Sequence, residues 1–171
     1  MDPTTPWTTH LLVDTMHATH NLEIIPSTPL EPESLLVWGR EGVVRLNPLD
    51  AGKSWQQQWI TRHPTDSTEL LGAGEVRFGV LASGMPYVTT IEPMHGNSLV
   101  LYTPPPEGPK DKPWNRRVLD DTLADGHALA TYDFLGIGNR QIAVGWRSAQ
   151  KIGPKVGVKL LHTTKETGDE W

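Results

Sequence analysis

Apolar and polar residues alternate along this chain in short runs, and no run keeps a 3.6-residue period for the length of a helix. WTTHLLVD, WQQQWITR and WNRRVLDD each alternate after a tryptophan. A second set follows, HNLEII, TELLGAGEVRF and HALATYDF, and then a third, SLLVWG, YVTTIE and QIAVGW. VVRLN, SLVLY and VGVKLL close the three series. Runs this short, rich in Val, Ile, Leu and Trp and bounded by Gly, Pro and Asn, are predicted to be β-strands. The fold class is therefore all-β, in three four-stranded units.

The units repeat. Trp7, Trp55, Trp114 and Trp171 stand 48, 59 and 57 residues apart. Thirteen residues after the first three of them lie His20, Thr68 and His127, and fifteen after lie Leu22, Leu70 and Leu129. One domain over 1–171 is expected, with repeats at about 7–54, 55–113 and 114–171. Four-stranded units at a period of roughly 40–50 residues are the mark of β-propeller blades. Within a unit the strand after the tryptophan is the outer strand, and it belongs to the preceding blade. The last unit, ending near His162, then lacks an outer strand of its own.

The third unit, GHALATYDFLGIGNRQIAVGWR, resembles an FG-GAP or VCBS propeller repeat, whose usual core is aspartate-rich around paired glycines before an apolar strand. YVTTIEPMHGNSLVLYTP and HNLEII…SLLVWGREGVVRL fit the same pattern, so the resemblance covers nearly the whole chain. The style is similar to the propeller part of aldos-2-ulose dehydratase-like proteins, in which histidines also open inner strands. That resemblance implies lyase or isomerase chemistry on a sugar-derived or secondary-metabolite substrate. In calcium-binding repeats alternate loop positions carry Asp or Asn, because a hard cation needs six to eight oxygens. Here Asp133 and Asn139 remain while Leu135 and Ile137 fill the other positions. No tight calcium site is expected over 133–139; Gly136 and Gly138 serve the turn.

Three blades leave two open sides, a hazard that closure removes. Two copies about a two-fold axis would make a six-bladed propeller, with Trp7–Asp14 of one copy completing the last blade of the other. The alternative is a fragment of a longer propeller, because the terminal GDEW resembles the start of another unit; the opening MDPTTPW favours the homodimer.

Composition narrows the function. There is no cysteine, so disulfides and thiol chemistry are excluded. The net charge of −5, without a basic run, argues against a nucleic-acid partner. The amino terminus lacks a basic segment followed by an apolar one, and no run approaches the roughly 18 apolar residues of a membrane helix, so a cytoplasmic protein with no membrane partner is expected.

In a propeller, the segments leading into inner strands and the turns between middle strands open on one face. The first group supplies His17, His20, Asp125 and His127. The second supplies Arg40 and Glu41 from WGREG, Glu92 and His95 from EPMHGN, and Trp146 and Arg147 from GWR. Pro93 holds Glu92 extended, which would set its carboxylate near His95, and a Glu–His pair suits acid–base work near neutrality. His95, Glu92, His20 and His127 are the catalytic candidates. Arg40, Trp38, Trp146, Arg147 and His17 are the substrate-binding ones. His20, His95 and His127 are also candidate ligands for zinc or magnesium, although no metal or cofactor is required. Each has a structural reading as well. His20 and His127 share a register with Thr68 and could cap inner strands, and the arginines could be solvated turn charges. With no nucleotide loop, serine elbow or cofactor motif in the sequence, cofactor-independent proton transfer is the chemistry left available; that it acts next to a carbonyl of a small molecule or carbohydrate is what the resemblance implies. A non-catalytic lectin-like or scaffold propeller is the alternative.

Overall fold

The structure, a computed structural model, describes residues 2, 4–63, 72–106, 112–148, 156–163, 165 and 167–171. Within them β1 (Leu22–Ile25), β2 (Ser34–Gly39), β3 (Gly42–Leu49) and β4 (Ser54–Arg62) pair in order as one antiparallel sheet. A second sheet runs β5 (Glu75–Val80), β6 (Pro86–Glu92), β7 (Ser98–Thr103) and β8 (Asn115–Asp120). A third holds β9 (Gly126–Tyr132), β10 (Gln141–Trp146) and β11 (Gly157–Leu161). The described residues contain no α-helix, only a 3-10 turn at Asp50–Gly52. Among the described residues no helix is long and apolar enough to cross a membrane.

Alternation along β6 explains how the sheets stack. Tyr87 and Ile91 point to one side, Val88 and Thr90 to the other, as side chains on a pleated strand must. Val88, with Val76, Val100 and Tyr102, packs against Ile25, Leu36, Trp38, Val43 and Ile60 of the first sheet. Tyr87 and Ile91, with Leu99 and Leu101, pack against Leu129, Ile142, Val144 and Trp146 of the third. The second sheet is thus buried on both faces. Gly79 makes room for this: opposite it lies Tyr87, whose ring occupies the space any Cβ would need. The phenol reaches on to the Arg140 carbonyl at 2.8 Å.

The inner strands meet edge-on, and the open edge of β5 is sealed without a ladder. Gly74, Val76, Phe78 and Val80 present carbonyls along it. They accept from the His20 ring at 2.8 Å, Arg77 Nη1 at 2.6 Å, Thr131 Oγ1 at 2.6 Å and the Arg140 amide at 3.2 Å. Thr131 lies on β9, and His20 and Arg140 just precede β1 and β10, so the seal also fixes the sheets relative to one another.

Two expectations need correction. WTTHLLVD is not a paired strand; Leu12, Val13 and Met16 lie over the outer face of the first sheet against Val37, Val44 and Leu46. Leu11 and Trp7 project outward, at 80% and 82% exposure. An alternating sequence without a neighbouring edge has no partner for its amides, and pattern alone could not supply one. Within TELLGAGEVRF the strand begins only at Glu75, while Thr68 and Leu70 of the repeat register lie outside the described residues.

The 133–139 loop turns its polar groups inward. The Asp133 carboxylate accepts from the amides of Ile137 and Gly138, both at 2.9 Å, and from Gln141 Nε2 at 3.3 Å. Gly136 and Gly138 take positive φ of 65° and 82°, which aims those amides at the aspartate. Asn139 accepts from the Ala82 amide at 2.6 Å and donates to the Thr163 carbonyl at 3.1 Å, tying the loop to its surroundings. Hydrogen bonds led by the one from Gly138 hold the Asp133 pKa below its ordinary value. A depressed carboxylate contributes stability that is present above its unfolded pKa, near 3.8, and lost as pH falls through the folded value. Asp133→Ala should therefore lower the melting temperature at pH 7, with the difference from wild type closing in acid below about pH 4. Chelator should leave the wild-type melting temperature unchanged, since the loop's own amides already occupy the aspartate.

Candidate functional site

One histidine from each sheet arrives at the same end of the molecule. His20 precedes β1, His95 sits in the turn between β6 and β7, and His127 is the second residue of β9. The His95 and His127 Nδ1 atoms are 3.0 Å apart, and the His20 and His95 rings meet edge to face with centroids 5.0 Å apart. His127 falls at a register break in β9, where Ala128 pairs with Gly145 but Gly126 with Trp146, and from that bulge its ring meets His95. His95 holds a positive φ of 54° in its turn. The turn is pinned from both sides, by the Gly126 amide on the Gly96 carbonyl at 2.9 Å and the Leu123 amide on the Asn97 carbonyl at 3.0 Å.

Hydrogen bonding decides the tautomers. His20 Nδ1 reaches the Gly74 carbonyl, which only accepts, so the proton sits on Nδ1 and Nε2 is left with a lone pair. Two neutral rings meeting Nδ1 to Nδ1 must differ: one donates and keeps a bare Nε2, while the other accepts and carries its proton on Nε2. The pair therefore offers one base and one acid at once. Partial burial first, then the neighbouring His127, His20 and Arg147, push the His95 pKa below its ordinary 6.5. Asp125 opposes them weakly.

Arg147 stands beside this cluster, bound through Nε and Nη2 to Asp125 at 2.6 and 3.2 Å, with Ser148 Oγ on the same carboxylate at 3.0 Å. The hydrogen bond to Arg147 is the main reason Asp125 is held below its usual pKa. His17 lies nearby on the same end, its Nδ1 on buried Glu41 at 2.5 Å and its amide on the other oxygen at 2.8 Å. Burial opposes the Glu41 charge, but the His17 hydrogen bonds outweigh it and the pKa falls. Arg40 is exposed at the β2–β3 turn, its amide on the His17 carbonyl at 2.7 Å.

Other expected site residues go elsewhere. Glu92 shares the face of Thr90 and points into the first interface, not at His95. Its carboxylate accepts from Tyr102 at 2.6 Å, Thr90 at 2.7 Å and Arg116 at 2.7 and 3.2 Å. An extended Glu92 does not reach the next turn because strand alternation, rather than the proline, sets its direction. Trp38 is wholly buried in the first interface and Trp146 is 5% exposed in the second. Neither is a stacking surface. Large rings filling a sheet-to-sheet gap bury more apolar area there than a turn could use.

A charged group on the inner strands escaped the sequence reading. Glu75 binds Asn21 Nδ2 at 2.6 Å and Arg77 at 3.2 Å, and Arg77 approaches Glu23 at 3.9 Å. Burial raises the Glu23 pKa, against Arg77 and Arg140. The signal was in EVRF, where two charges alternate within an otherwise apolar strand. Two clefts lie away from the histidines: one of ≈ 580 Å³ over β3 and β4, and one of ≈ 420 Å³ between the first two sheets around Ile25, Phe78 and Trp114. The titratable groups converge at the histidine cluster instead.

Three antiparallel sheets stacked face to face around adjoining inner strands are consistent with a β-propeller, and residues 2–105 match the model of the aldos-2-ulose dehydratase β-propeller domain. The chain belongs to that family. Aldos-2-ulose dehydratase of Phanerodontia chrysosporium is 30% identical over 119 residues, covering 64% of this chain. The chain spans 13% of that relative's length. The matched region holds His20 and His95 and stops short of His127.

Trp38→Ala should cost about 3–5 kcal/mol in denaturant unfolding, as for a deleted core aromatic. Arg116→Ala should cost about 1–3 kcal/mol through the Glu92 partner it strands. A tryptophan acting as a ligand platform would instead lose binding while keeping its stability.

Proposed function

We propose that the histidine cluster is the acid–base centre of a lyase or isomerase, moving a proton next to the carbonyl of a sugar-derived substrate. The observation that carries this reading is the 3.0 Å approach of His95 and His127, which forces opposite tautomers. Kinship with a dehydratase supports the reaction class, since loss of water next to a carbonyl needs both partners. The bare Nε2 takes a proton from the carbon beside the carbonyl, and the C–H electron pair passes into the enolate. The other ring's Nε2–H then protonates the leaving hydroxyl as its C–O bond breaks, releasing water. Transfer of the shared Nδ1 proton from the first ring to the second then leaves both rings neutral with their tautomers exchanged, and exchange of the Nε2 proton with water resets the pair. Arg147 lies close enough to depress His95 and supplies positive charge for the enolate. The sheets read as FG-GAP or VCBS-type blades, whose turns place these groups on one face.

The same three imidazoles would be the residues to hold a divalent ion such as zinc. A backbone carbonyl already orients His20, as second-shell partners orient metal-binding histidines. Such an ion would polarise the substrate carbonyl as a Lewis acid. Among the described residues no group of three or more His, Asp or Glu is already arranged around an ion position, so binding requires the rings to rotate. A lectin-like function would need exposed aromatic platforms, and Trp38 and Trp146 are both buried.

With aldos-2-uloses as trial substrates, His95→Ala should lower kcat by about a hundred- to ten-thousand-fold with an almost unchanged melting temperature. Because the His95 pKa is lowered, the rate should rise with pH and level off below the 6.5 of an ordinary histidine. A folded His95→Ala protein with wild-type turnover would sink the proposal. Zinc titration followed by thermal melting separates the two modes: a rise lost in His127→Ala means the rings close on an ion.

A further inference from the structure

A second group of side chains, apolar rather than titratable, converges between the first two sheets at the end away from the histidines. His20 precedes β1 and His95 follows β6, whereas Ile25 ends β1, Val80 ends β5 and Pro86 opens β6. These last three border the ≈ 420 Å³ cleft, whose described walls also include Leu36, Phe78 and Trp114. That volume falls within the roughly 300–1,000 Å³ of small-molecule pockets. Leu36 is fully buried while Phe78 and Trp114 are only partly covered, so the cleft runs from the core to the surface. Leu30 borders it and is 94% exposed. The turn that carries Leu30 is closed on itself. Thr28 Oγ1 accepts from the Leu30 and Glu31 amides at 3.2 and 3.0 Å, and the Thr28 amide donates to the Glu31 carbonyl at 2.8 Å. The turn is thus set by its own polar groups, and the leucine is held out at the mouth rather than packed into the core.

The ≈ 580 Å³ cleft over β3 and β4 adjoins this one, since Arg45 and Glu31 line both. Their ion pair at 2.8 Å, with Arg45 Nε on Ser34 Oγ at 2.8 Å, forms the rim between the two. A row across the first sheet shows the change of character. Leu36 pairs with Arg45 and Arg45 with Gln58, while Asn47 pairs with Gln56. Alternation puts all five on one face of the sheet. That face is apolar on one side of Arg45 and amide-lined on the other. An amide side chain offers a donor and an acceptor together, which suits hydroxyl groups.

We propose that the two clefts together bind a neutral amphiphile, an apolar body with a hydroxyl-rich head, of which an aryl glycoside is the simplest kind. The apolar body lies between the sheets against Phe78 and Trp114, with Leu30 folding over it. The head passes the Arg45–Glu31 rim, and its hydroxyls run along Asn47 and Gln56. Burial of the apolar body supplies the affinity and the amides supply the orientation. Charge is already balanced at the rim, so a neutral ligand fits better than an ionised one, whose charge would lose water without gaining a partner.

Isothermal titration with phenyl β-D-glucoside tests this, with benzyl alcohol and methyl β-D-glucoside standing for its separate halves. The joined ligand should bind about tenfold or more tightly than either half, because the second contact becomes intramolecular. Leu30→Ala and Gln56→Ala should each weaken it about three- to tenfold, the worth of one apolar contact or hydrogen bond. Both side chains are exposed, so the melting temperature should not move. His95→Ala should leave the affinity unchanged, which separates this site from the histidine cluster. No binding of phenyl glucoside at millimolar concentration overturns the proposal. So does binding that His95→Ala abolishes while Leu30→Ala and Gln56→Ala leave it intact, or a joined ligand no tighter than benzyl alcohol.

Discussion

Burial of the second sheet on both faces is the constraint on which the rest depends. β6 and β7 have inward positions on either side, so Tyr87 and Ile91 are committed to one neighbour and Val88 and Tyr102 to the other. A slip of one residue would exchange these sets and put Thr89 and Thr90 in the wrong cores. Register in this sheet is therefore tightly specified, and with it the β6–β7 turn that holds His95. The histidine itself contributes little to the fold. Its position is set by strands on which it does not sit.

That separation explains which parts of the molecule could be read from sequence. Strands such as SLLVWG, YVTTIE and QIAVGW are visible because burial imposes an apolar pattern, and the structure reproduces them closely. The meeting of His20, His95 and His127 follows from placing strand lead-ins and middle turns on one end, an argument from topology rather than from any motif. Direction within a strand is harder. Glu92 and Trp38 adjoin turns at the open end, yet each lies on a face that looks into a core. The parity of a side chain relative to its buried neighbours would have decided both cases.

Residues 7–14 show a different limit. Their alternation is as regular as that of β4 or β8, and a strand is the natural reading. A strand, however, is a relation between two segments, and pattern describes only one of them. The Trp55 and Trp114 counterparts find partners within the chain, at the start of β4 and just before β8. Trp7 does not. The repeat was legible; whether each repeat is satisfied within the chain was not.

Polar groups are divided by the same logic. Where the sheets stack face to face, the few buried charges are fully engaged, as Glu92 is by Arg116, Tyr102 and Thr90, because an unpaired charge there would be costly. Along the inner strands the carbonyls of β5 are capped by side chains and an amide, leaving those caps polar and close to water. His20 belongs to both classes. Its Nδ1 closes the edge of the second sheet, and that bond is what leaves Nε2 bare beside His95. The structural and chemical readings of this histidine are therefore not rivals: the bond that caps the edge also sets the tautomer that the proposed chemistry would use.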